Sequence, residues 1–428
     1  MEALRLQLSD LQHLIPELTL IVTALLAALL DLALPRKVSR SFSAWLTLLG
    51  IVVAICFTAL ELNPEEPIQL LAQSYRIDDF ASLLKLVILV GTGLVVFMSL
   101  GSAARDDIHH VGEYYYLFLP AALGGMIMAS SGDLITLYVG LELLSITSYV
   151  LVAMKKKSTE SNEGAFKYIV LGGISSAIIL YGMSFLYGIS GSTNLLAINS
   201  ALAGSIDDVK GLVYLAFFLL LAGFGFKIAA APFHTWAPDV YQGAPTPVTA
   251  FLAVVSKGAG FAILFRVMYW VFGSLTLMGT DLQKDALLSL SVLAAISMIA
   301  GNAMALRQHN VKRLLAYSGI ANAGYLLVPI ATHFSLVHYA NYSEFLFYLI
   351  AYLFMNIGAF AVLMIVQRSS GNEELRGFAG LYYRARGRPQ RPCCSSFRWP
   401  ASRSRRDFSE SCSSSWARCR RNSIGSAR

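Results

Sequence analysis

"GFGFKIAAAPFHTWAPDVYQGAPTPV", residues 223–248, sets Lys227 inside an apolar run and then breaks the run on four prolines, a histidine and an aspartate. Inside a membrane both features are costly. A charged side chain at a helix centre costs roughly 2.5–3.5 kcal/mol on insertion scales. A backbone amide or carbonyl freed by a helix break is tolerated only where protein or water covers it.

The chain as a whole is built for a membrane. Of its 428 residues 56% are hydrophobic and 14% charged, with mean hydropathy +0.59, whereas a soluble domain carries roughly a quarter charged residues. Apolar runs of about 18 or more residues recur along most of the length. The first has an acidic approach and no small-residue cleavage pattern, unlike a secretory signal. The fold class is therefore an all-α polytopic membrane protein. The windows predict about eleven spans, near 14–34, 41–60, 80–100, 114–130, 133–153, 164–187, 211–231, 247–272, 286–306, 311–332 and 344–367.

Basic residues follow span one (Arg36, Lys37, Arg40), follow span five (Lys155, Lys156, Lys157), join spans nine and ten (Arg307, Lys312, Arg313) and follow span eleven (Arg368, Arg376). Alternating spans put all four groups on one side, which the positive-inside bias assigns to the cytoplasm. The opposite loops carry Glu61, Glu65, Glu66, Asp207, Asp208, Asp281 and Asp285. This places the N-terminus in the periplasm and the chain, multi-pass, in the inner membrane.

The net charge of +7 comes from the end of the chain. Residues 384–428 hold twelve arginines against Asp407 and Glu410, and the remainder is slightly acidic. The overall balance therefore says nothing about nucleic acid. Cys393, Cys394, Cys412 and Cys419 lie in the same tail, which leaves Cys56 as a small core residue and no disulfide or metal spacing. Residues 377–428 have no helical periodicity and no apolar window. They read either as a disordered basic tail on the lipid surface or as a shifted reading frame. The abrupt switch, with Cys and Trp in the tail, favours the second.

Charges inside spans need a reason. Glu142 stands in "LITLYVGLELLSITSYVL", about nine residues into span five; Lys257 stands in "AFLAVVSKGAGFAILF", about ten residues into span eight. Lys167, in "EGAFKYIVLGG", falls in the first turn of predicted span six, where a long side chain also reaches the interface by itself. For Glu142, Lys227 and Lys257 the alternative is a fixed ion pair that holds helices together. One carboxylate facing two deep lysines leaves a cation over. Burial disfavours an ammonium charge and a nearby carboxylate favours it, so a lysine between those pulls loads and releases a proton as its neighbour's charge changes. Pro232 and Pro238 remove backbone donors and break the helix, leaving polar backbone at membrane depth as in broken-helix transporters. His234 titrates near neutrality and can carry protons between Lys227 and the cytoplasmic side, or with Trp236 it anchors an interfacial loop. Asp239, Tyr241 and Gln242 read as loop structure.

This ordered set resembles the antiporter-like membrane subunits of respiratory complex I, the NADH-quinone oxidoreductase, over about residues 10–383. "APFHTWAPDVYQGAPTPV" is closer to the N branch than to the M and L branches, and "NVKRLLAYSGIANAGYLL", residues 310–327, matches the same family. The resemblance implies an antiporter-like inverted-repeat fold with a broken seventh helix. It also implies that Glu142 pairs with and tunes Lys227, that Lys257 is the central connecting residue, and that Lys167 lies on the cytoplasmic entry side. Residues 1–110 would hold the first three helices and 111–376 the proton-translocating core. NADH, FMN, iron–sulfur clusters and quinone would belong to partner subunits, with none of them in this chain, and M- and K-type subunits would be the neighbours.

Two departures stand out. Asn322 replaces a histidine common in relatives, and where the family has about fourteen spans, with a lysine on a broken twelfth, this sequence has the Arg/Ser tail. A chain ending so would lack its second half-channel. A subunit of a multi-subunit sodium–proton antiporter, and a non-functional truncated product, are the alternative readings.

Overall fold

The computed structural model describes residues 8–35, 40–62, 66–100, 108–272, 281–332, 341–371 and 373–378. Met1–Gly377 forms one compact unit, and of the other, Phe378–Arg428, only Phe378 is described. The Arg/Ser tail, its cysteines, Arg36, Lys37 and Glu65 lie outside the described residues.

A short α1 (Leu8–Gln12) leads into α2 (Ile15–Ala33) and α3 (Ser41–Leu60). A hairpin of β1 (Ile68–Leu70) and β2 (Tyr75–Ile77) follows, then α4 (Asp79–Ser99), α5 (Val111–Tyr116), α6 (Phe118–Ser130) and α7 (Leu134–Val152). Next come α8 (Thr159–Ser190), α9 (Leu195–Lys227), α10 (Ala237–Gly243) and α11 (Thr246–Phe251). A π-helical turn, Leu252–Ser256, joins α11 to α12 (Lys257–Trp270). The last long helices are α13 (Asp281–Ala305), α14 (Val311–Thr332) and α15 (Asn341–Ser370).

Ten helices among the described residues are long and apolar enough to cross a membrane. They follow the predicted spans in order, except at 114–130, where the chain is split at Leu117 between α5 and α6. Pro120 sits in the first turn of α6 and has no amide to offer the Tyr116 carbonyl, so the helix is interrupted there. Val111–Ser130 still reaches about 30 Å at 1.5 Å per residue, enough for an eleventh crossing. Helix α8 begins at Thr159 and α9 at Leu195, well before their apolar windows. Hydropathy sees only the lipid-facing middle of such helices, whereas their ends are set by caps. Ser158 accepts from the Ser161 amide, Asn194 from those of Leu196 and Ala197, and Asp78 and Asp133 cap α4 and α7 in the same way.

The core gathers around α11 and α12, the crossing whose apolar window is buried throughout. Helices α4, α6, α9 and α15 pack on it. Leu25, Leu29, Val139, Phe166 and Ile299 point outward, as lipid-facing side chains do. Cys56 also faces outward on α3 and is not the core residue the sequence predicts. Small residues let neighbouring helices touch: a Cβ on Gly124 of α6 would meet the Leu144 amide nitrogen at 2.6 Å and the Gly140 carbonyl at 2.7 Å.

The hairpin is new relative to the sequence reading. Three-residue strands are too short for an alternating pattern to register. Its turn uses no glycine: Leu71, Ala72 and Gln73 take left-handed conformations at φ 52°, 54° and 70°. The hairpin leans on the start of α7, where the Gly132 amide donates to the Ser74 carbonyl at 2.8 Å and Ser74 Oγ meets Asp133 Oδ2 at 3.2 Å.

Candidate functional site

Lys227 is the last residue of α9, and the way that helix ends defines the site. Ala229 turns left-handed at φ 54°, the Ala230 amide reaches back to the Gly225 carbonyl at 2.8 Å, and the Ala229 amide donates to the Phe226 carbonyl at 3.0 Å. This is a Schellman end with alanine where glycine is usual. Trp236 Nε1 adds a bond to the Phe226 carbonyl at 3.0 Å, and the Ala231 amide donates to Ser297 Oγ of α13 at 2.9 Å. The Gly225 and Phe226 carbonyls and the Ala229, Ala230 and Ala231 amides are thus met by protein. A lysine at the carboxyl end of a helix also lies where the helix dipole favours positive charge.

The prolines act differently from their sequence reading. Helix α9 stops five residues before Pro232, which follows Ala231 through a cis peptide bond. Pro238 opens α10 instead of breaking a helix: in the first turn its missing amide costs nothing.

Lys227 is 3% exposed. Its ammonium donates to Ser145 Oγ on α7, one turn beyond Glu142. Glu142 acts on Lys227 through space, but among the described residues no cation lies within ion-pair distance of it, and its Oε1 is buried without a partner. The pairing read from the sequence is therefore electrostatic, with Ser145 as the contact. Ser145 was legible in principle, since residues three apart share a helix face.

Lys257 follows the π-turn on the central crossing and is 1% exposed. Among the described residues its Nζ has no hydrogen-bond partner, and neither has the Tyr352 hydroxyl of α15. Both face Gly319 of α14, where an added Cβ would lie 2.7 Å from Lys257 Nζ and 3.1 Å from the Tyr352 oxygen. Gly260, almost one turn beyond Lys257, packs on Lys227, with its virtual Cβ 3.4 Å from Lys227 Cβ. The two lysine helices are thus in contact while their ammonium groups occupy separate surroundings. Further along α14 and α15, Tyr348 donates to Asn322 Oδ1 at 2.6 Å. Gly319→Ala is expected to displace the flexible Lys257 ammonium while leaving the fold intact, cutting proton pumping several-fold at normal subunit abundance; proton flux in vesicles alongside immunoblotting checks it.

The structure does not bring Lys167 to the other lysines. It sits two turns into α8, 39% exposed in its side chain, between Glu163 at 2.6 Å and Asp239 at 2.7 Å. Asp239 also takes Arg313 Nη1 of α14 at 2.5 Å. Burial pushes the Asp239 carboxyl up, but the hydrogen bonds from Lys167 and Arg313 outweigh it and hold it below the usual carboxylate range. This bridge stabilises the fold above the unfolded value of about 3.9 and is lost as pH falls through the lower folded one. The sequence reading gave Asp239 to loop structure, and its two cations are 72 and 74 residues away in the chain. His234 lies in the break, 9% exposed, its ring 6.5 Å from that of Tyr317, and burial holds its imidazole below the ordinary value. Among the described residues no three His, Cys, Asp or Glu side chains gather as a metal site requires.

Residues 131–386 match the family described as NADH:quinone oxidoreductase/Mrp antiporter, TM. The chain is 53% identical, over 392 residues, to NADH-quinone oxidoreductase subunit N of Paenibacillus sp. (strain JDR-2), covering 88% of this chain and 75% of the relative. Its structure resembles a chain of respiratory complex I from Thermus thermophilus with a TM-score of 0.65 and 34% identity, over 81% of this chain and 70% of the other. A chain of the Mrp complex from Dietzia sp. DQ12-45-1b superposes with a TM-score of 0.65 over 83% of this chain and 65% of that one. At 19% identity that is a likeness of fold.

Proposed function

The chain belongs to the NADH:quinone oxidoreductase/Mrp antiporter membrane family, and on that premise we propose that it is the N-type subunit of an NADH:quinone oxidoreductase, moving protons across the bilayer. One observation carries the mechanism: Lys227 is buried at a helix end with a hydroxyl as its polar contact and a carboxylate near but not touching. An ammonium so held is costly unless its charge changes during function. Glu142 sets the field at Lys227, Lys257 receives the proton along the membrane, and His234 and Lys167 serve the cytoplasmic side. Helices α2 to α4, within residues 1–110, flank the translocating core of 111–376.

The basic loops face the cytoplasm and the hairpin faces the periplasm, in the inner membrane of a bacterium. NADH oxidation, FMN, iron–sulfur clusters and quinone reside in partner subunits, and M- and K-type subunits are the membrane neighbours. We read residues 377–428 as out of frame, from their Arg, Ser and Cys content; resequencing this part of the gene is expected to give apolar helices with a lysine. An antiporter role has the shared family description and a likeness of fold behind it, whereas the curated relatives, at 40–53% identity, are NADH-quinone oxidoreductase subunits.

Glu142→Gln keeps the shape of the side chain and removes its charge. In vesicles oxidising NADH with the assembled complex, proton pumping is expected to fall several-fold while the subunit stays in place. Unchanged pumping would remove Glu142 from the mechanism.

A further inference from the structure

A second group of buried ionisable side chains lies away from α9, at the hairpin end of α2, α3 and α4. Lys85 of α4 is fully buried and its ammonium lies 2.8 Å from Glu17 Oε1 of α2, itself 5% exposed. The Tyr75 hydroxyl of the hairpin donates to the same oxygen at 2.6 Å, and the Lys85 ammonium lies 5.0 Å from the centre of the Tyr75 ring. Glu61, which closes α3, is half-buried and feels both Lys85 and Glu17. Its backbone carbonyl accepts from Ser82 Oγ of α4 at 3.4 Å.

The charges do not balance. Two carboxylates share one ammonium, and the phenol is neutral at working pH. With both carboxylates ionised the cluster carries a net negative charge in an apolar surrounding, and one proton removes it. Polar capacity is also left over: Glu17 Oε2 and Glu61 Oε2 are buried with no hydrogen-bond partner among the described residues, as water-lined groups are. A pair serving only to hold helices together has no use for a second carboxylate.

From this geometry we infer that Glu17, Tyr75, Lys85 and Glu61 form a proton-holding site, separate from Glu142, Lys227 and Lys257, that exchanges a proton between Glu61 and the water on the hairpin side of the membrane. Glu61 is the exchanging group because it lies at the helix end, beyond the span, whereas Glu17 is held by Lys85 and Tyr75. The step moves one proton from the Glu61 carboxyl to water and back, and no bond other than O–H breaks. The groups facing Glu61 are Glu17 from α2 and Lys85 from α4; Tyr75 reaches the cluster from the hairpin and the Ser130 hydroxyl from α6. Burial pushes the Glu61 carboxyl up to about 7, against the pull of Lys85 and with the push of Glu17. The role of this site in pumping rests on the function proposed above; its titration does not.

Infrared difference spectra of the assembled complex, titrated in pH, test the site. A protonated-carboxyl band with a midpoint near 7 is expected in the unaltered protein and absent in Glu61→Gln. Glu17→Gln removes a like charge and is expected to lower the midpoint, while Lys85→Met removes an opposite charge and is expected to raise it. A Glu61 that lies apart from Glu17 and Lys85 responds to neither substitution. An ordinary carboxylate midpoint, or one indifferent to both substitutions, overturns the proposal. If Glu61→Gln does not accumulate, Glu61→Asp serves, with a displaced band expected and an unmoved one counting against it. A pumping Lys227→Ala complex beside an intact Glu61 titration would sink the function proposed for Lys227 and leave this site standing.

Discussion

Lys227→Ala, made in the assembled complex, is expected to abolish proton pumping through this subunit and leave the subunit in the membrane. Assembly survives because the helix end does not depend on the side chain. The Schellman bonds from Ala229 and Ala230 and the Trp236 bond all terminate on backbone carbonyls. Ser145, which loses Lys227, still donates to the Leu141 carbonyl. Removing a buried ammonium also removes its desolvation cost, which offsets the small cavity left behind.

Pumping fails because, among the described residues, no other exchangeable cation contacts Ser145. Lys227→Arg sharpens the test: guanidinium keeps the charge and does not give up its proton in proteins. If charge alone mattered, arginine would rescue, so rescue by arginine counts against a proton-carrying role as firmly as undiminished pumping by alanine. Quinone-coupled NADH oxidation and dye-reported acidification, measured on the same vesicles, separate lost pumping from a lost complex.

The site and the fold were legible to different depths. Membrane spans are read from hydropathy because the bilayer imposes it on every lipid-facing turn, so α2 to α4 and α13 to α15 appear close to their true places. The Lys227 and Lys257 positions were legible for the converse reason: charge amid oil is costly and conspicuous. The mode of the helix break was hidden. Prolines announced it, yet Ala229 performs it, and a left-handed alanine has no signature in composition. The π-turn ahead of Lys257 and the approach of Gly319 to the ammonium are tertiary facts that no local window contains. The same holds for Lys85 and Arg266, charges within spans whose partners lie far along the chain; those of Arg266 are 188 and 137 residues away.

Arg266 yields the second large effect. On α12 its guanidinium is 1% exposed, with Nη2 3.0 Å from Asp78 Oδ1 and Nε 2.6 Å from the Ala129 carbonyl. Asp78 also meets Arg76 at 3.2 Å and caps α4 by accepting from the Ala81 amide at 2.8 Å. Asp78→Ala strands a buried cation, at about 3–5 kcal/mol, and removes a cap, at about 1 kcal/mol. Against a native stability of about 5–15 kcal/mol, the subunit is expected to fall sharply in membrane abundance on immunoblots.

Asp78→Asn keeps an acceptor for the Ala81 amide and should lie between the two. The decisive comparison is Asp78→Ala combined with Arg266→Met. An apolar side chain of similar volume in place of a buried ion pair is often neutral, so the double substitution should recover most of the abundance that the single one loses. If it recovers nothing, the loss belongs to the cap and to Arg76; if Asp78→Ala alone accumulates normally, the guanidinium is not stranded and its burial here is of little consequence.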